Sequence, residues 1–215
     1  MFNCPIPSYI CEPILGVKQR RPVLFWEALF RGQRSREENW VEIDRKLFEY
    51  LAENKATDEW KRKTIAVNLS TDSVMGVSSE IVKSAASNWN LCLEWTEDFA
   101  SNTDLHNAAE RFIEWRKEHG VLISVDDVGA GMDGLLRTTL TQPDVLKIDG
   151  NFLKLAMSSI ENREILQHMI SHFSMKKMTV VAEHIETSHH LSFARSIGCN
   201  AWQGFWSRES RFGYI

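Results

Sequence analysis

Residues 121–131 read Val121-Leu122-Ile123-Ser124-Val125-Asp126-Asp127-Val128-Gly129-Ala130-Gly131. The apolar, β-branched start of this stretch predicts a buried strand, and the glycines after it predict a turn that can lie close to a substrate. Burying two neighbouring carboxylates is costly unless cations neutralise them. A divalent metal ion would do so, with Asp126 bridging ions and Asp127 supplying a second ligand or holding a water. An acidic surface turn is the alternative for this motif taken alone.

Strand-like and helix-like segments alternate on both sides of this stretch. Strands are predicted within residues 9–15 and at 23–31, 64–70, 91–97, 144–149, 179–183 and 201–205. Helices are predicted at 37–54, 74–85, 104–119, 133–141, 160–175 and 187–197, with Trp40 and Trp115 on apolar faces that are expected to lie in the core. About eight strand–helix units of this size favour an α/β fold of the closed (β/α)8 TIM-like barrel type over an open sheet.

Polar residues interrupt or end nearly all of the predicted strands. These residues are Glu27, Asn68, Glu94, Asp126, Asp127, Lys147, Glu183 and Gln203. Closure of the barrel would bring them to one rim, since chemistry in such barrels lies at the C-terminal ends of the strands. Five carboxylates, two amides and one ammonium are suited to metal-assisted hydrolysis of a phosphate ester. The ligands on offer are oxygens, which favours Mg²⁺ or Mn²⁺ over zinc.

The composition of the chain narrows the class of protein. Its 215 residues, 43% apolar and 25% charged, are typical of a soluble globular protein with one large domain or two small ones. A formal net charge of −4 gives no support for nucleic-acid binding. The four cysteines form no CxxC pair, which predicts reduced, mostly buried thiols in a cytoplasmic protein. No apolar run has the length of a membrane span.

The strand ends resemble those of the EAL domains, the cyclic-di-GMP phosphodiesterases of bacteria. The motifs that carry this resemblance are Glu27-Ala28-Leu29-Phe30-Arg31, Asn68-Leu69-Ser70, Leu93-Glu94-Trp95-Thr96-Glu97, residues 126–131, Leu146-Lys147-Ile148-Asp149, Ala182-Glu183-His184-Ile185-Glu186-Thr187 and Gln203-Gly204-Phe205. The resemblance implies a single domain over residues 1–215, folded as a barrel variant with one antiparallel strand. It also implies hydrolysis of cyclic di-GMP to linear pGpG and a homodimer.

The resemblance also implies roles for individual residues. Two Mg²⁺ or Mn²⁺ ions would be held by Glu27, Asn68, Glu94, Asp126, Asp127 and Glu183, and Ca²⁺ is expected to inhibit. The residues implied to act at the reacting phosphate and the attacking water are Lys147, Glu183, Asp127 and Gln203. Substrate contacts are implied for Arg31, Glu12 and Gln203, and the fork of an arginine suits a phosphate. Glu97 and Glu186 would support the ligands, Glu97 by anchoring the loop after Asp127.

Several positions depart from the family pattern. Glu12 stands where the family has glutamine, Met132-Asp133-Gly134 replace Tyr-Ser-Ser, and His184 replaces glycine. These changes leave an alternative open, in which the chain is a catalytically inactive EAL-like module that binds cyclic di-GMP or a protein partner. A related phosphodiesterase with a different substrate is a third hypothesis. The complete set of metal ligands together with Lys147 favours the active enzyme.

Overall fold

The computed structural model describes residues 4–17, 23–32, 39–97, 100–131 and 133–206. Its strands are β1 (Tyr9–Gly16), β2 (Val23–Phe30), β3 (Thr64–Leu69), β4 (Asn90–Trp95), β5 (Leu122–Val128), β6 (Val145–Ile148), β7 (Thr179–Ala182) and β8 (Ala201–Trp202). Its helices are α1 (Trp40–Glu53), α2 (Thr71–Gly76), α3 (Ser79–Asn88), α4 (Asn102–His119), α5 (Gly134–Thr141), α6 (Gly150–Ser158), α7 (Ile160–Met175) and α8 (Ser188–Ser196).

The eight strands form a closed barrel in chain order, from β1 to β8 and back to β1. Strands β2 to β8 are parallel to one another, whereas β1 is antiparallel to both of its neighbours. The predicted (β/α)8 TIM-like barrel is therefore confirmed, and so is the single antiparallel strand. Within the described residues, no helix is both long and apolar enough to cross a membrane.

The predictions for the helices differ from the structure in three respects. The apolar period over residues 74–85 indicated one helix, but α2 and α3 are separate, because the side chain of Ser78 caps a new helix by accepting the Ile81 N–H. The helix predicted from residue 37 begins at Trp40 in the structure, and the first two residues of the predicted helix lie outside the described residues. Trp40 is 53% exposed rather than core, whereas Trp115 is fully buried as predicted.

Helix α6 was missed by the sequence analysis. Its nine residues follow β6 directly, and the Asp149 side chain caps it by accepting the N–H groups of Asn151 and Phe152. Short apolar segments of this kind do not show enough turns for a helical period to stand out from the neighbouring helix. The connection between β6 and β7 therefore contains two helices, α6 and α7, instead of one.

Candidate metal centre and active site

The rim residues face the inside of the barrel because of the period-two alternation along each strand. A buried layer inside the barrel includes Ala66, Cys92, Val145, Val181 and Ala201. Two positions further along the same strands, or just past their ends, come Asn68, Glu94, Lys147, Glu183 and Gln203. The apolar layer thus forms the floor of the site, and the polar residues stand directly above it at the C-terminal rim.

Lys147 lies at the centre of the acidic residues. Its Nζ atom is 2.6 Å from Glu94 Oε1, 2.9 Å from Glu183 Oε1, 3.2 Å from Asp126 Oδ1 and 3.4 Å from Glu27 Oε2. The Lys147 side chain is only 1% exposed, so that these carboxylates replace its lost hydration and raise its pKa well above the ordinary value. Four carboxylates, on or directly after four different strands, therefore converge on one ammonium group.

The two amides of the rim hold Glu27. Asn68 Nδ2 donates to Glu27 Oε1 at 3.0 Å, and Gln203 Nε2 donates to Glu27 Oε2 at 2.6 Å. Both amide oxygens, together with Glu94 Oε2, are buried and accept no hydrogen bond in the described part of the chain. Buried oxygens without donors are costly, and three of them at one rim fit the binding of a hard cation. The residues present thus fit the metal ions that the motifs imply.

A bulge in β5 brings both aspartates to the rim. The pairing of β5 with β6 passes from Val125–Leu146 to Val128–Ile148, which leaves two aspartates opposite the single Lys147. Asp127 adopts a left-handed backbone with φ 55°, an uncommon conformation for a residue other than glycine. Without this irregularity, neighbouring side chains would point to opposite faces of the sheet.

The bulge creates a compact acidic cluster of Asp126, Asp127 and Glu183. Ligand atoms from all three residues lie within 4.8 Å of one another. Burial, and then the charge of Asp126, raise the pKa of Asp127 to about 6. Burial raises the pKa of Glu183 to about 8, although Lys147 opposes the shift. Bound cations would favour the charged carboxylates and so oppose both shifts.

The remaining predicted residues lie around this centre. Arg31 is exposed at the end of β2, beside a cavity of about 360 Å³ that is also lined by Asn68. Glu12 is the register partner of Glu27 across β1 and β2. The Glu97 carboxylate lies against Gly131, where a Cβ would come within 1.4 Å of Glu97 Oε1.

The loop after β7 carries two more of the predicted residues. The Glu186 side chain is 48% exposed and lies 3.8 Å from Lys154, and it is not a member of the acidic cluster. His184 has a left-handed backbone with φ 51°, and its ring packs on Gly150 at the start of α6. His184 contributes no atom to the cluster of Asp126, Asp127 and Glu183. Met132 lies outside the described residues.

Arg137 on α5 was not singled out by the sequence analysis. Its side chain is fully buried, and the guanidinium group binds the carbonyl oxygens of Trp95 and Asp126 and the carboxylate of Asp133. The four-residue spacing of Asp133 and Arg137 on a predicted helix was a signal for an ion pair. It gave no sign that the pair would be buried behind the rim.

A (β/α)8-type barrel with carboxylates, amides and a buried lysine at the C-terminal rim of its parallel strands defines a class of metal-assisted enzymes or their non-catalytic relatives. The sequence profile of the EAL domain matches residues 40–209. The chain therefore belongs to the EAL domain family, which confirms the resemblance seen in the motifs.

Relatives and solved structures support this assignment. The cyclic di-GMP phosphodiesterase PdeF of Escherichia coli is 32% identical over 163 residues, which are 73% of this chain and 21% of PdeF. The chain therefore spans about a fifth of the length of that relative. An EAL domain protein of Listeria monocytogenes matches with a TM-score of 0.71 at 18% identity, covering 97% of this chain and 94% of that one.

A second solved structure contains a ligand. The YkuI protein of Bacillus subtilis, which has an EAL domain and was solved with cyclic di-GMP and calcium, matches with a TM-score of 0.69 at 20% identity. The match covers 92% of this chain and 54% of YkuI. At 20% identity, the structural similarity to YkuI shows that the two chains share a fold, and it carries no conclusion about function.

Proposed function

We propose that the chain is a metal-dependent phosphodiesterase that hydrolyses cyclic di-GMP to linear pGpG. The observation that carries this proposal is the convergence of Glu27, Asn68, Glu94 and Asp126 around Lys147, with buried oxygens that accept no hydrogen bond from the described residues. A module that only binds a nucleotide has no need of such a set. The relatives named as cyclic di-GMP phosphodiesterases supply the substrate class.

The ions would be two Mg²⁺ or Mn²⁺, held by Glu27, Asn68, Glu94, Asp126, Asp127 and Glu183. When bound, they lower the pKa of a coordinated water and offset charge on phosphoryl oxygens. Six oxygen-donor side chains and a site of negative charge suit hard cations. The same carboxylates without cations would repel a phosphodiester, which makes activity depend on metal.

The chain's own residues would orient the substrate and balance its charge. The Lys147 ammonium, buried among the carboxylates, would donate to the phosphate as charge develops in the transition state. Arg31 would hold a second phosphate oxygen from its exposed position at the end of β2. Gln203 would keep Glu27 oriented through its 2.6 Å hydrogen bond and face the substrate. Glu12 would contact the dinucleotide from β1.

Glu97 and Glu186 would support the residues that bind the metal ions and the substrate. Glu97 would anchor the loop after Asp127 through its contact with Gly131. For Glu186 we propose a supporting contact that joins the loop after β7 to Lys154 on α6. We also propose that residues 1–215 form a single domain. The homodimer and the cytoplasmic location stay predictions.

Turnover of cyclic di-GMP by the purified chain tests this proposal. The wild type, Glu27→Gln and the control Glu59→Gln would each be incubated with cyclic di-GMP and Mg²⁺, Mn²⁺ or Ca²⁺. The product would then be resolved by chromatography. The Glu59 side chain is 66% exposed and pairs with Lys63, and it belongs to none of the rim motifs. We expect pGpG with Mg²⁺ or Mn²⁺, little with Ca²⁺, and loss of product in Glu27→Gln alone.

The rival function is a receptor for cyclic di-GMP, favoured by the changes at Glu12, Asp133 and His184 near the rim. Nucleotide binding without any pGpG, at every metal tested, would replace the enzyme by this receptor. Neither product nor binding would point to a protein partner instead.

A further inference from the structure

We propose that Arg137 is a positioning residue for the metal centre, and that Asp133 holds its guanidinium group in place. This inference rests on the proposed metal-dependent function. Among the described residues, the hydrogen bonds of the Arg137 side chain go to Asp133 and to two backbone carbonyls, and none goes to Lys147 or to the carboxylates around it. Arg137 instead binds the backbone of the strands that carry these carboxylates.

The contacts of Arg137 connect the ends of two neighbouring strands. Nη1 donates to the carbonyl oxygen of Trp95, the last residue of β4, and Nη2 donates to the carbonyl oxygen of Asp126 in β5 at 3.1 Å. Trp95 directly follows Glu94. Each carbonyl therefore belongs to, or adjoins, a residue whose carboxylate contacts Lys147. A rigid planar fork fixes two such oxygens relative to each other better than a single ammonium can.

The bulge in β5 explains why this brace is needed. Asp126 and Asp127 stand opposite one residue of β6, so that the regular ladder between the two strands is interrupted at this point. Asp127 is held in a left-handed conformation, which is strained for a residue other than glycine and persists only where its surroundings enforce it. Arg137 supplies a hydrogen bond to the bulged strand from the helix that packs behind it.

Asp133 supports this arrangement by binding Arg137 Nε at 3.0 Å. The Arg137 side chain is fully buried and that of Asp133 is 13% exposed. A guanidinium group is costly to bury unless its donors are bound, and here at least three of its five N–H groups have acceptors. Because Asp133 balances its charge, Arg137 acts at the rim through geometry rather than through net charge.

The test measures Mn²⁺ binding to the metal-stripped full chain by calorimetry, with Arg137→Lys, Asp133→Asn and the control Arg116→Lys. Arg116 likewise binds two backbone carbonyls, those of Thr141 and Gln142, but these lie at the other end of α5. We expect Arg137→Lys to weaken Mn²⁺ binding by about 10- to 100-fold, as losses behind a metal ligand commonly do. Asp133→Asn should have a smaller effect in the same direction, and Arg116→Lys none.

Hydrogen exchange of the metal-free proteins adds a readout independent of activity. Amides of residues 126–131 should exchange faster in Arg137→Lys and at the wild-type rate in Arg116→Lys. Wild-type Mn²⁺ affinity and wild-type exchange in both Arg137→Lys and Asp133→Asn would overturn the inference while leaving the proposed function intact. If Arg137→Lys does not fold, the result for Asp133→Asn decides. No Mn²⁺ binding by the wild type would refute the metal centre and this inference together.

Discussion

Asp44 provides the clearest prediction about stability. This carboxyl group lies on α1, is 7% exposed, and accepts a hydrogen bond of 2.6 Å from Ser73 Oγ on α2. Burial raises the pKa of Asp44 to about 7, and the single hydrogen bond from Ser73 offsets only part of that shift. The folded protein therefore prefers Asp44 protonated, whereas the unfolded chain ionises it at ordinary acidic pH.

The size of the effect follows from the two pKa values. The folded value of about 7 exceeds the unfolded value of 3.8 by about 3 units, and at about 1.4 kcal/mol per unit this is worth about 4 kcal/mol as an order of magnitude. Between these pH values the folded state binds more protons than the unfolded state, so that stability falls as pH rises. The contribution is fully present below about pH 4 and lost above about pH 7.

Asp44→Asn removes this titration and keeps an oxygen that can accept from Ser73. In urea unfolding at pH 4 to 9, the variant should match the wild type at the acidic end and exceed it by up to about 4 kcal/mol at pH 8. Asp58→Asn, at a side chain that is 97% exposed, is the control and should show no such trend. Parallel curves for Asp44→Asn and the wild type would refute the reasoning, because Asp44 would then ionise as freely in the folded protein as in the unfolded chain.

Three further predictions follow from other parts of the structure. Mn²⁺ affinity measured by calorimetry should rise between pH 6 and 8. The raised pKa values of Asp127 and Glu183 keep these carboxyl groups protonated at the lower pH, so that Mn²⁺ must displace their protons to bind. An affinity that does not change with pH would contradict this. Among the thiols, Cys4 should be alkylated first in mass spectrometry, because it is only half-buried and a hydrogen bond from Cys11 lowers its pKa; prior labelling of a buried cysteine would count against it. Gly204→Ala should reduce the free energy of unfolding by about 2 kcal/mol or more, because φ at this position is 152° and the new Cβ would meet the Ile185 backbone at 2.3 Å. The urea midpoint should fall accordingly, and an unchanged midpoint would refute this.

The sequence predicted most of the architecture because its signals are local and repeated. Strand–helix alternation and strand-end polar residues sufficed for the barrel and for the rim that Lys147 shares with Glu94 and Glu183. The errors came where a local pattern is ambiguous. An apolar helical period continues across the cap at Ser78, and Trp40, at the start of the apolar face of α1, is 53% exposed although its ring meets that of Phe30. Periodicity reports which residues share a face, but not whether another element packs on it.

The composition of the candidate centre was determined by the sequence alone, because in a parallel barrel the C-terminal ends of the strands meet at one rim. The geometry was decided only by the tertiary structure. Alternation predicts opposite faces for Asp126 and Asp127, and the bulge opposite Lys147 overrides it. Arg137 acquires its contacts only when α5 packs behind β4 and β5. Such contacts join residues far apart in the chain, and their hydrogen bonds and desolvation depend on closure of the barrel rather than on sequence neighbours.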